Sequence, residues 1–224
     1  MKALLPGAPE ELHHHVQHYG KRWQAVWSRV GSPLTDRNPD PLLLALIERY
    51  SERHRAYHTL AHLEECLAQF DEAWELANHP ADVELALWFH DAIYDPHRTD
   101  NEARSAAWAK ASLLARGVSQ MVAERVEALI LATRHERSPT TPDAALVVDI
   151  DLAILSAPAA RFDAYERQIR QEYAWVPEAV FRSHRRRFLE GLLERDRIYI
   201  TDAFFERYEP QARRNIHRSL RRSA

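Results

Sequence analysis

The chain predicts an all-helical fold, and three observations carry that prediction. Only five of its 224 residues are glycine. Long stretches are built from Ala, Leu, Glu and Arg, which lose little rotamer freedom in a helix. Apolar residues recur at helical spacing through most of the chain, interrupted by short Pro- and Asn-rich breaks. The length suits a single compact multi-helix bundle spanning 1–224, with a core over about 40–160 and terminal helices packed on it.

The first helix is expected over Glu10–Val30, with Trp23, Val26, Trp27 and Val30 on one stripe. The histidines at 13–15 fall within it as surface residues. Pro33 and the Asn38–Pro41 cluster interrupt the pattern, and a deeply buried helix follows over Leu42–Tyr50. Thr59 reads as an N-cap for a helix running to about Ala77. Pro80 suits the first turn of the next helix, expected over Asp82–Ile93. Asp95-Pro96 forces a loop, since the residue before proline is pushed out of the helical region.

A helix over Asn101–Ala115 closes at Gly117. Ser119 caps another that reaches about His135. A loop over 136–143 precedes Ala144–Leu155, whose Val-Val-Asp-Ile-Asp centre allows a strand but whose surroundings favour a buried helix. Helices over Pro158–Trp175, Pro177–Asp196 and Asp202–Leu220 complete the set, the last three as supporting elements.

The formal net charge of -3 gives no general attraction for nucleic acid. Between Arg182 and Arg222 twelve arginines face six acidic residues, which we read as a solvated helical face. Cys66 is the only cysteine, so an intramolecular disulfide is excluded and a reducing compartment fits. The first residues lack an apolar stretch of signal-peptide length, and no segment reads as membrane-spanning. A cytoplasmic protein without a membrane partner is expected. Self-association stays open.

Three segments bear chemistry. In LALWFHDAIYD, residues 85–95, His90 and Asp91 follow a mostly apolar run, where each would be costly to bury without a partner. A divalent cation satisfies both. Adjacent helical residues point roughly 100° apart, but imidazole and carboxylate differ in reach and can converge near a helix end. In RHRAYHTLAHLEECL, residues 53–67, His54, His58 and His62 are four apart, a spacing that puts side chains on one helix face. In ALVVDIDLAIL, residues 145–155, Asp149 and Asp151 lie within an apolar segment and need an ion, an arginine or several donors. One of the two is expected to be a ligand and the other to orient a ligating histidine.

The ordered set His62, His90-Asp91, Asp151 resembles the H…HD…D signature of HD-superfamily metal-dependent phosphohydrolases, over about residues 53–155. YHTLAH at 57–62 is similar to the histidine motif of related cyclic-nucleotide phosphodiesterases, and HDAIYDPHRTDNEARSA at 90–106 looks like an uncharacterised bacterial branch. The resemblance implies an HD-domain-like bundle. It implies that His62, His90, Asp91 and Asp151 hold one divalent ion, with DLA at 151–153 selecting Asp151 over Asp149. It further implies that His58 is the proton donor and that the substrate is a small phosphate ester or anhydride, a nucleotide by class.

The mixed N/O donor set suits Mn, Fe, Co or Ni and admits Mg or Zn. Asp95 and Glu102 are candidates for catalytic support, Glu102 by orienting water. His135, Asn101, Arg55, Arg98 and Arg104 are candidates for substrate binding, the arginines because a planar guanidinium matches phosphate. Two other functions remain: a metal or nucleotide sensor without turnover, and a di-iron oxygenase on the same scaffold, which needs more histidines. No phosphate-cradling glycine loop, dinucleotide fingerprint or CxxC pair is present in the sequence.

Overall fold

The computed structural model describes residues 8–34, 39–136 and 138–222, and all regular structure among them is helical. Residues 1–7, Asn38 of the first break and Arg137 of the mid-chain loop lie outside the described residues. The ten α-helices are α1 (Ala8–Arg29), α2 (Pro41–Tyr50), α3 (Leu60–Ala73), α4 (Pro80–Phe89), α5 (Asn101–Ala115), α6 (Gln120–Ala132), α7 (Pro142–Asp151), α8 (Ala159–Glu172), α9 (Glu178–Leu193) and α10 (Asp202–Arg222). Short 3-10 turns follow α3 at Trp74–Leu76 and α7 at Leu152–Ser156.

Helix α4 lies at the centre, touched by α1, α3, α5, α6 and α7. Its sequence explains that position. Val83 to Phe89 is wholly buried, so the helix is enclosed on all sides rather than amphipathic. Its one buried acid in that run, Glu84, is paired by Arg22 (2.7 Å) and Arg29 (3.1 Å) of α1. Helix α7 is similarly enclosed from Asp143 to Ile150 and packs on α3, α4 and α6. The strand alternative for this segment is thereby excluded. Trp23, Val26 and Trp27 of α1 are fully buried as the stripe predicts, with Val30 half-buried at its end.

Local signals set several boundaries. The Asp40 carboxylate accepts from the amides of Leu42 and Leu43, and Pro41 fills the first turn of α2. The hydroxyls of Thr59, Ser119 and Thr141 cap α3, α6 and α7. Gly117 has φ +77°, the left-handed conformation expected after α5.

Several helices end three or four residues before expectation, among them α3, α7, α8 and α9, and two of the early ends lie beside the histidine motifs. Helix α4 stops at Phe89 rather than Ile93. There the His90 ring donates back to the Leu87 carbonyl (2.8 Å), and the freed carbonyls of Asp91 and Ala92 are taken by Arg55. Helix α6 stops at Ala132 rather than His135, and His135 takes a positive φ of 55°.

The C-terminal helices support the rest. Helix α10 packs on α9 and on the Leu152–Ser156 turn. Much of the basic excess is neutralised there: Arg186 pairs with Glu190, Arg197 with Asp202, Arg207 with Glu72, Arg213 with Glu209, and Arg185 with Glu166. No described helix is long and apolar enough to cross a membrane.

Candidate metal centre

Four side chains from three regions converge at the inner end of α4. His62 stands one turn inside α3, His90 and Asp91 follow the last turn of α4, and Asp151 ends α7. The His62 and His90 Nε2 atoms are 3.2 Å apart. Asp91 Oδ2 lies 3.5 Å from His62 Nε2 and 3.1 Å from His90 Nε2. Asp151 Oδ1 lies 3.4 Å and 3.7 Å from the same nitrogens. Donors bound to one cation at about 2.0–2.2 Å stand roughly 3.0–3.5 Å apart, and all but the 3.7 Å pair fall in that range, so this set lies close to what a single ion needs.

The histidines are buried while the carboxylates keep a partial solvent face, which leaves one side approachable. The hydrogen bond from His90 Nδ1 to Leu87 orients the ring so that Nε2 is the nitrogen facing the other donors. A second, wholly buried set, His62, Cys66 and His90, shares the two imidazoles, with Cys66 Sγ 3.7 Å from His62 Nε2. Either set could hold a metal ion.

The electrostatics match a cation site. Burial alone would lower the His62 pKa, but Cys66, Tyr57 and the two carboxylates overcome it and raise it well above the usual value. Burial would raise Asp91, but His90, His58 and His62 hold it well below the carboxylate range. Burial likewise opposes ionisation of Asp151, and hydrogen bonds from His135 and His62 reverse that. The carboxylates thus favour positive charge beside them, whether on the imidazoles or as a bound cation.

Two further histidines border the cluster. His135 Nε2 donates to Asp151 Oδ2 at 2.9 Å, leaving its buried Nδ1 without a hydrogen-bond partner. Its backbone is left-handed, a conformation uncommon outside glycine but one that histidine adopts more often than most residues. His58 stacks on Tyr94 with ring centroids 4.2 Å apart, and its Nδ1 donates to Glu172 Oε2 at 2.7 Å.

Glu172 was not singled out by sequence reasoning. Its buried carboxylate also accepts from Tyr94 Oη (2.8 Å) and from the amides of Ala56 (2.8 Å), Tyr57 (2.8 Å) and His58 (3.0 Å). Burial would raise its pKa, but these donors, His58 foremost, bring it down to about 2. An acid in the last turn of a helix, against the unfavourable end of the dipole, was the one available signal.

The other candidates are distributed unevenly. Glu102 is half-buried near the cluster; burial, then the charges of Asp91 and Asp151, raise its pKa. Arg55 is fully buried, its guanidinium donating to the carbonyls of His58 (2.9 Å), Asp91 (2.7 Å) and Ala92 (3.1 Å). It ties the two histidine segments together and has no face left for a substrate. Asn101 clasps the Asp95 backbone through both ends of its amide. Asp95 accepts from the His97 amide, and Arg98 pairs with Asp100 on the exposed loop. Arg104 opens into a separate cleft with Asp95.

Asp149 does not orient a histidine. It accepts from the Ile200 and Thr201 amides and the Thr201 hydroxyl, at 2.7–2.8 Å, and anchors the segment that enters α10.

Fold and site together define an all-helical protein with a buried His/His/Asp/Asp cluster able to hold a metal, an arrangement compatible with an HD-type fold. No protein-family model, curated protein or solved structure matches the chain significantly.

Proposed function

We propose that this protein is a metal-dependent phosphohydrolase acting on a small phosphate ester or anhydride, a nucleotide by class. The observation that carries the proposal is the convergence of His62, His90, Asp91 and Asp151 at spacings suited to one ion, in the order of the HD signature. A divalent ion held there would supply Lewis acidity, drawing charge from a phosphoryl oxygen and lowering the pKa of water from ~15.7 towards ~7.

The remaining steps belong to the chain's own groups. His58 has Nδ1 tied to Glu172, so Nε2 is the nitrogen left to hold a transferable proton for the leaving oxygen. Glu172 keeps that ring oriented without moving, because the three backbone amides and Tyr94 pin it. His135 restrains the second oxygen of Asp151. Glu102, half-buried and under the charges of Asp91 and Asp151, is our candidate for orienting water.

The test is phosphate release from a panel of nucleotides with added Mn, Co or Mg. Turnover with at least one metal is expected, and Asp91→Ala should abolish both metal binding and turnover. No release with any metal and any nucleotide rejects the assignment.

A further inference from the structure

On the other side of Tyr94 and Glu172 lies a cleft of about 680 Å3 that includes none of the four clustered donors among its lining residues. That size is in the range of small-molecule sites. Arg49, Arg53 and Arg104 line it, with His54, His97 and Trp175. Three acidic residues line it as well, and each has partners of its own. Glu172 is saturated by five donors, Glu52 is engaged by Arg49 (3.1 Å) and Arg55 (3.2 Å), and Asp95 accepts from the His97 amide (2.9 Å).

Arg53 and Arg104 are different. Among the described residues neither guanidinium has a hydrogen-bond or ion-pair partner, although most arginines in the chain do. Two uncommitted guanidiniums at one cleft offer donors suited to phosphate oxygens. The same cleft carries a flat apolar surface. Trp175 is 53% exposed, and the His97 ring stacks on it with centroids 4.2 Å apart. An exposed indole held by a stacked neighbour is a platform for a planar ring.

We propose that this cleft is a second ligand site, distinct from the metal cluster, that binds a nucleoside phosphate. Arg53 and Arg104 take the phosphate, and Trp175 with His97 takes the base. The site is separate from the cluster yet shares its wall, since Tyr94 and Glu172 line the cleft and also hold His58.

The experiment is calorimetric titration of EDTA-treated, metal-free protein with ADP and, separately, with inorganic pyrophosphate. Because no metal is present, binding here is independent of the hydrolase assignment. Both probes are expected to bind. Arg53→Glu/Arg104→Glu, at two exposed positions, should weaken both by roughly tenfold or more. Trp175→Ala should weaken ADP while sparing pyrophosphate, and Asp91→Ala should leave both unchanged. Failure of both probes to bind, affinity that survives the double arginine variant, or binding lost in Asp91→Ala overturns the proposal.

Discussion

Replacing Glu172 with Gln removes one charge and little volume at a point where five donors meet. The side chain is completely buried, so solvent does not screen the loss. The ordinary glutamate value is 4.5 and the folded protein brings it to about 2. At about 1.4 kcal/mol per unit, the ionised carboxylate contributes on the order of 3 kcal/mol to the native state. Glutamine keeps an acceptor oxygen but turns an NH2 group towards donors, so the cost at neutral pH should be about 3 kcal/mol.

The pH dependence has a definite sign. A depressed folded pKa gives stability that is complete above 4.5 and disappears as pH falls from there through about 2. Urea unfolding of both proteins from pH 7 to pH 2 reads it directly. The gap should be widest at neutral pH and close in the acid range. A gap below about 1 kcal/mol at pH 7, or one unaffected by pH, would refute the account of Glu172 as an ionised anchor.

Other expectations follow from particular contacts. Asp149→Asn should destabilise by about 2 kcal/mol, through the Ile200 and Thr201 donors, while metal stoichiometry measured by atomic absorption is unchanged. Asp151→Asn should instead lower metal content, and it should also lower the unfolding midpoint of the metal-free protein, because the ionised carboxylate is held there by His135 and His62. Thr59→Ala should cost about 1 kcal/mol by removing the N-cap of the helix that carries His62, read by thermal unfolding.

Much of the fold was legible because its signals are local. Thr59, Pro80, Gly117 and Ser119 mark boundaries through effects confined to one turn of backbone. The site donors were legible for a related reason: charged side chains inside apolar runs, at 90–91 and 149–151, cannot be buried without partners. Which partner each one finds is a long-range matter. Asp149 and Asp151 sit in one apolar segment, yet one reaches residues 200–201 and the other the imidazoles. Glu172 meets amides 114–116 positions earlier, beyond any local pattern. Arg55 looked like a phosphate ligand because composition shows a guanidinium and not the carbonyls that surround it.

The arrangement also has an order in time. A chain emerging from the ribosome exposes His62, His90 and Asp91 well before Asp151, and Glu172 later still. Any N-terminal fragment that ends before these last two carries an incomplete donor set and an unanchored His58. The four-donor cluster and the anchoring of His58 are thus completed late in synthesis, when Asp151 and Glu172 have been made.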